Sequence, residues 1–253
     1  MKVLFVTSLI FALSAAVSGD LPDLKGSLIT LHTQVGDIIV QKLGIPGANK
    51  IPIIALPGAK PTLRHEWTHI CEQLSDEHDY YVSIIHFDSK LKRNMRETAI
   101  NIIHQAIFQN HASNHNQQKV IIMGKSVGGA IAQLYTDMYP TDILKLILVA
   151  PVLNDPLLIQ SLSSHDVPIL LLWTRDDTVA SYSTNIRKWK DVFDPLAVDL
   201  LDEHKKKISP NLRLVQSAMG RKKSVHQFSL FSQAFGGHLI LDDYFDPILS
   251  FLE

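Results

Sequence analysis

The sequence predicts an α/β fold, with a mostly parallel central sheet and helices on both of its faces. Short, almost entirely apolar runs, such as residues 51–56 and 143–149, have the composition of strands that are covered on both faces. Segments with helical spacing separate these runs, and this alternation is typical of a parallel sheet. The chain of 253 residues, 46% of them hydrophobic, is long enough to bury one sizeable core.

The predicted elements follow one another along the chain without a repeat or a linker. An alternating pattern before and after Gly36 predicts a hairpin of two strands, at residues 28–32 and 37–43. Further strands are predicted at residues 51–56, 80–87, 119–123, 143–149, 168–173 and 212–217. Helices are predicted at residues 63–74, 95–109, 128–139, 184–207 and 244–252.

The first 19 residues have the order of a secretory signal peptide. Lys2 is followed by an apolar run at residues 3–13 and by small residues at 14–19, with cleavage expected after Ser18 or Gly19. The apolar run is shorter than the roughly 20 residues that span a bilayer. We therefore expect residues 20–253 to form the mature domain, secreted or in the lumen of the secretory pathway, without stable membrane insertion.

The overall charge argues against a polyanionic partner. The formal net charge is -1 at pH 7, so the molecule has no field that would attract nucleic acid. Basic clusters at residues 187–190, 205–207 and 221–223 have acidic neighbours and are expected on solvated faces. Cys71 is the only cysteine, so the chain cannot form an intramolecular disulfide.

The most informative segment is Gly124-Lys125-Ser126-Val127-Gly128, between a predicted strand and a predicted helix. Where a strand turns directly into a helix, the middle residue of the turn is strained. Side chains two positions before and after it would collide, and Gly124 and Gly128 have no side chains there. The turn presents the serine hydroxyl at the carboxyl edge of the sheet, beside the amides of the helix start. We therefore predict that Ser126 is a nucleophile and that Val127 N–H is an oxyanion donor.

With this motif, the chain resembles the α/β-hydrolase superfamily over nearly the whole mature sequence. The resemblance implies a second oxyanion donor just after the third strand, commonly in a His-Gly-x context. This chain has Pro57-Gly58-Ala59 there, with the glycine but not the histidine, so Ala59 N–H is the implied donor. A simple strand terminator is the alternative interpretation of Pro57-Gly58.

The same resemblance implies the acid and the base, in the family's order Ser, Asp, His. Residues 174–177 are similar to the family's Gly-x-x-Asp turn, with threonine in the glycine position, which makes Asp177 the acid and Asp176 the near alternative. The Gly-Gly-His segment at residues 236–238 precedes the closing helix, which makes His238 the base. The connection at residues 152–167 is too short for the separate cap domain that many members insert there.

These assignments imply a hydrolase for esters, thioesters or activated amides that works through an acyl-enzyme. The substrate would be a small acyl compound, and a triad of this kind needs no cofactor and no metal. A noncatalytic binding protein on a hydrolase scaffold is one alternative.

A second alternative is a zinc-dependent hydrolase. His65, Glu66 and His69 form a His-Glu-x-x-His pattern, which places two imidazoles on one face of a helix with a glutamate as base. The longer form of this motif requires Gly and His where Glu72 and Ser75 stand. Under the hydrolase interpretation, the segment follows the oxyanion loop and packs Trp67 inward.

Overall fold

The described part of the chain is one eight-stranded sheet with helices packed against it. The computed structural model describes residues 25–33, 36–47, 50–58, 66–86, 100–105, 119–193, 228–233, 237 and 242–253. The predicted leader at residues 1–19 lies outside these ranges. No helix within them is both long enough and apolar enough to cross a membrane.

The sheet is antiparallel at one side and parallel across the rest. Its strands are β1 (Ser27–Thr33), β2 (Gly36–Leu43), β3 (Ile51–Leu56), β4 (Tyr80–His86), β5 (Val120–Lys125), β6 (Ile143–Val149), β7 (Ile169–Thr174) and β8 (Phe228–Gln233). They lie in the order β1-β2-β4-β3-β5-β6-β7-β8. The β1/β2 and β2/β4 pairs are antiparallel, and every pair from β4 to β8 is parallel. The carboxyl ends of the parallel strands therefore meet at one edge.

The central strands are covered on both faces. Every residue of β4, β5 and β7 is buried. Because successive strand residues point to opposite faces, burial of the whole strand requires packing on each side. The prediction of a mostly parallel sheet with helices on both faces is therefore confirmed.

All but the last of the described helices lie between strands in sequence, and the last follows β8. They are α1 (Thr68–Glu77), α2 (100–105), α3 (Val127–Met138), α4 (Pro156–Ser164), α5 (Tyr182–Phe193) and α6 (Phe245–Leu252), with 3-10 turns at Pro140–Asp142 and Asp242–Tyr244. Helix α1 packs on β4 and β2, and α3 packs on β3, β5 and β6. Helix α4 packs between α3 and α5. Helix α3 thus lies against the strands that flank its own entry point.

The predicted boundaries hold best where the pattern is almost entirely apolar. The strands predicted at residues 51–56 and 143–149 coincide with β3 and β6, and β1 and β2 form the predicted hairpin. The helix predicted at residues 63–74 is wrong at its start, since α1 begins at Thr68 and continues to Glu77. The strand predicted at residues 212–217 lies outside the described residues, as do residues 194–207 of a predicted helix.

Two elements were not predicted from the sequence. Helix α4 begins with a capping signal, because the Asp155 carboxylate accepts the Leu157 N–H at 2.9 Å and Pro156 occupies the first turn. Strand β8 was missed because polar residues interrupt its apolar pattern. Residues 150–168 hold only α4 and short loops, so the expectation of no cap domain in this connection is confirmed.

Lys145 of β6 joins the C-terminal helix to the sheet, and its removal should destabilise the protein. Its Nζ donates to the carbonyls of Phe251 and Leu252, each at 2.6 Å, in the last turn of α6, where carbonyls lack partners within the helix. We expect Lys145→Met to lower the free energy of unfolding in urea by about 1–3 kcal/mol. Lys119→Met, which removes an exposed cation next to β5, is the control and should change it by less than about 0.5 kcal/mol. Equal stability of the two variants would contradict this capping role.

Candidate active site

Ser126 lies between β5 and α3 in a backbone conformation that residues other than glycine rarely adopt. Its φ is 53° and its ψ is −114°. Such conformations cost on the order of 1–3 kcal/mol and persist only where the surrounding structure imposes them. The residue is 6% exposed and follows the carboxyl end of a central parallel strand. The chain therefore stores strain at a serine on the edge where α/β folds bind ligands.

The glycines around Ser126 leave space for close backbone contacts. A Cβ atom on Gly124 would lie 2.5 Å from Gly128 O and 2.8 Å from Gly129 Cα. A Cβ atom on Gly128 would overlap Leu56 O at the end of β3. We call residues 124–128, which carry the predicted nucleophile, the nucleophile turn. Its sharp reversal requires that both of its glycines lack side chains.

Backbone hydrogen bonds hold Ser126 on two sides. Its N–H donates to Val149 O at 2.9 Å, at the end of β6. Its carbonyl accepts from Ala130 N–H at 3.1 Å and from Val152 N–H at 3.2 Å. The position of the serine is therefore fixed both by α3 and by the loop after the neighbouring strand.

The predicted oxyanion donors belong to two segments beside Ser126. Val127 is the first residue of α3, so its N–H is one of the amides that have no acceptor within the helix. Gly58 follows β3, and a Cβ atom built on it would lie 3.5 Å from Ser126 Cβ. Ala59 lies outside the described residues. The structure thus places one predicted donor next to the serine, together with the residue that precedes the other.

Asp177 lies just after β7, and its carboxylate accepts hydrogen bonds from three N–H groups of the described residues. Oδ1 accepts from the N–H groups of Val179 and Ala180, both at 2.8 Å. Oδ2 accepts from Trp173 Nε1 at 3.2 Å. The residue is only 4% exposed. These donors fix the orientation of the carboxylate, as is required of an acid that orients a histidine.

The adjacent Asp176 is exposed and binds the segment that leads to the predicted base. Its Oδ1 accepts the Gly237 N–H at 2.8 Å, and Thr174 Oγ1 donates to the Gly237 carbonyl. Gly237 has a φ of 60°, which glycine adopts without strain. His238 itself lies outside the described residues. Its preceding residue is therefore attached to the loop that carries both candidate acids.

Tyr244 is a buried neighbour of these two aspartates. Its ring packs edge to face against Phe231 of β8, with 5.8 Å between the centroids. Burial, and then the negative charges of Asp177 and Asp176, raise the pKa of its phenol. Tyr244 is therefore neutral at pH 7 and adds no charge near the candidate acids.

The His-Glu-x-x-His segment does not lie within one helix, because α1 begins only at Thr68. The Glu66 carboxylate forms an ion pair with Lys125 Nζ, and the two side chains are 4% and 1% exposed. His69 is exposed, and His65 lies outside the described residues. Among the residues whose placement is given, no three His, Cys, Asp or Glu side chains are grouped to hold a metal ion. The Glu66 carboxylate is thus paired with a cation of the protein itself, Lys125.

Two features of the site were missed from the sequence. One is the ion pair of Glu66 with Lys125, and the other is the indole of Trp173 that supports Asp177. The signal for the first was a lysine at the end of an otherwise apolar strand, because a buried cation needs a buried partner. No pattern within either segment identifies that partner.

The close contacts of the nucleophile turn predict that it does not tolerate a methyl group at Gly124. We expect Gly124→Ala to lower the free energy of unfolding by about 2 kcal/mol or more, because the contacted atoms are backbone and cannot move aside. Gly47→Ala is the matched control, since its Cβ would meet only Lys50 Cγ, at 3.8 Å, and it should change stability by less than about 0.5 kcal/mol. Urea unfolding followed by circular dichroism measures both. A fully stable Gly124→Ala protein would show that the turn is less tight than described.

Part of the chain is similar in sequence to a known family. Residues 103–165 match the family model described as serine aminopeptidase, S33. The matched segment includes the nucleophile turn but neither candidate acid nor the predicted base. Among curated proteins, no sequence matches this chain significantly.

Several solved structures are similar over most of their length. An α/β hydrolase enzyme from a metagenome of lagoon sediments at Mar Chica, Morocco, is 14% identical, with a TM-score of 0.53 over 89% of this chain and 95% of that one. The esterase domain of a Rhodothermus marinus protein is 12% identical, with a TM-score of 0.56 over 89% and 95%. The thioesterase domain from the curacin biosynthetic pathway is 12% identical, with a TM-score of 0.60 over 89% and 98%. The resemblance seen in the sequence is confirmed at the level of fold, and this chain has the fold of the α/β hydrolases.

Proposed function

We propose that this protein is a serine hydrolase for carboxylic esters or thioesters, with Ser126 as its nucleophile. The observation that carries the proposal is the strained backbone of Ser126 at the end of β5. Glycine would remove most of that strain, because it adopts positive φ at little cost. A serine in this position is explained if its hydroxyl takes part in a reaction.

In the proposed reaction, Ser126 Oγ attacks the carbonyl carbon of the substrate while His238 accepts the hydroxyl proton. The oxyanion that forms accepts hydrogen bonds from the N–H groups of Val127 and Ala59. When the tetrahedral intermediate collapses, the protonated His238 gives its proton to the leaving alcohol or thiol. Water then attacks the acyl-enzyme by the same route and releases the acid. Asp177 orients His238 and remains ionised.

The attachment of Gly237 supports the assignment of His238 and Asp177. Gly237, the residue before His238, is hydrogen bonded to Asp176 and Thr174. These bonds attach the neighbour of the predicted base to the segment at the end of β7. Asp177 is the buried member of the aspartate pair, and its carboxylate is held by three N–H donors. A carboxylate with a fixed orientation can select one tautomer of a histidine.

The structural neighbours favour acyl groups bonded to oxygen or sulfur. Two of them are described as an esterase domain and a thioesterase domain. Ester and thioester hydrolysis share one acyl-enzyme intermediate and differ only in the leaving group. The family matched at residues 103–165 is described as an aminopeptidase, so activated amides are a further substrate class to include in a substrate panel.

Replacement of Ser126 tests the nucleophile. We expect Ser126→Ala to reduce hydrolysis of p-nitrophenyl esters to the uncatalysed background and to abolish covalent labelling by a fluorophosphonate, because both need the hydroxyl. Ser164→Ala removes an exposed hydroxyl at the end of α4 and should leave both unchanged. Persistent labelling of the Ser126→Ala protein would refute the assignment. Loss of activity to a chelator, without reaction with the phosphonate, would instead indicate a metal hydrolase.

Replacement of each aspartate distinguishes the two candidate acids. We expect Asp177→Asn to lower kcat by about 10³- to 10⁴-fold, because an amide favours the wrong histidine tautomer. Asp176→Asn keeps an oxygen that can accept the Gly237 N–H, so it should lower kcat by less than about 10-fold. Steady-state kinetics on one aryl ester measure both variants. The reverse order of effects would make Asp176 the acid.

A further inference from the structure

The buried ion pair between Glu66 and Lys125 has no part in the reaction proposed above. Removing two charges from water is costly, and a pair of apolar side chains would avoid that cost. The pair nevertheless lies at the nucleophile turn, since Lys125 directly precedes Ser126. Its position suggests a role that depends on its geometry.

The Glu66 carboxylate connects two segments of the chain. Oε1 accepts from Lys125 Nζ, in the nucleophile turn. Oε2 accepts the N–H of Gly58 at 3.1 Å, in the loop after β3. Lys125 Nζ also lies 3.8 Å from the position that a Cβ atom on Gly58 would occupy. One carboxylate thus holds the loop after β3 against the turn that carries the serine.

Trp67 attaches the same loop at a second point. Its fully buried indole donates from Nε1 to Leu56 O at 3.1 Å. Pro57, the residue between the two attachment points, has no N–H of its own. The Leu56 carbonyl and the Gly58 amide are therefore both hydrogen bonded to residues 66–67. The backbone of the loop is fixed by these bonds as far as Gly58.

We propose that Glu66 and Lys125 are positioning residues for the oxyanion hole. The inference rests on the proposed function, in which Ala59 N–H is the second oxyanion donor. Only the two backbone torsions of Gly58 separate its fixed amide from the amide of Ala59. The ion pair therefore fixes Gly58, the residue before the second donor, relative to the turn that carries Ser126.

The double variant Glu66→Leu/Lys125→Met tests this role without leaving a lone buried charge. We expect kcat for an aryl ester to fall about 10- to 100-fold while KM stays within about two-fold, because the donor acts on the transition state. The inhibition constant of a trifluoromethyl ketone, whose serine adduct carries an oxyanion, should rise by the same factor. Glu66→Gln keeps the size of the side chain but not its charge. It should likewise lower kcat and raise the inhibition constant, each by about 10-fold.

The control removes an ion pair of the same chemistry from the surface. Lys25 and Asp76 are paired at 2.9 Å, are 61% and 54% exposed, and include one residue of α1. Lys25→Met/Asp76→Leu should leave kcat, KM and the inhibition constant unchanged. Urea unfolding establishes that each variant is folded before its kinetics are compared.

A second measurement does not depend on activity. Pro-Gly occurs twice in the chain, at residues 46–47 and 57–58, so carbonyl-¹³C proline with ¹⁵N glycine selects the amides of Gly47 and Gly58 alone. We expect the Gly58 amide of the double variant to exchange with solvent at least about 10-fold faster than in the wild type. The exchange of Gly47 should be unchanged.

The outcomes separate the two proposals. An active wild type whose folded variants keep kcat and the inhibition constant within about two-fold, or keep slow exchange at Gly58, overturns the positioning role alone. A wild type without Ser126-dependent turnover overturns the proposed function and the catalytic meaning of the ion pair with it. Faster exchange at Gly58 together with a parallel loss in kcat and inhibitor affinity supports both.

Discussion

The reversal of the chain at Ser126, from β5 directly into α3, is the constraint on which the rest of the site depends. In the sheet, β5 lies between β3 and β6, so the loops after these two strands flank the reversal on either side. The loop after β6 bonds the serine backbone through Val152, and the loop after β3 brings Gly58 against its side chain. The strained conformation persists because both neighbours and the helix hold it in place. The sheet order thus determines which segments can supply groups to the serine.

The same topology accounts for the surroundings of the two candidate acids. Strands β7 and β8 are adjacent and parallel, so their carboxyl ends lie at the same edge of the sheet as that of β5, which leads to Ser126. Residues 176 and 237 are 61 positions apart in sequence and are nevertheless hydrogen bonded. Asp176 and Asp177 differ in burial and in partners. The exposed Asp176 binds Gly237, whereas the carboxylate of the buried Asp177 accepts hydrogen bonds from backbone N–H groups. Two adjacent residues of the same type therefore have different structural roles.

The sequence predicted those features whose causes are local. The apolar runs of β3 and β6 define strands covered on both faces, and the glycines of the nucleophile turn are spaced by the steric needs of one reversal. Strand β8 was not predicted, because polar residues interrupt its apolar pattern. Its strand conformation depends on pairing with β7, which is distant in sequence. The ion pair at the turn joins residues 59 positions apart, so no pattern within either segment reveals it. Predictability ends where a side chain is explained only by a distant partner.

The His-Glu-x-x-His segment shows why such a partner matters. Its spacing places two imidazoles on one face only if a helix runs through the whole motif, and here the helix starts after the glutamate. Trp67 and Glu66 instead form hydrogen bonds with the backbone of the loop after β3, and Glu66 also forms an ion pair with Lys125. A lysine buried beside the serine needs a carboxylate, because an unpaired cation there would be strongly destabilising. The glutamate of the motif is therefore explained by the nucleophile turn, and a pattern typical of a metal site serves here to hold two loops of a hydrolase fold together.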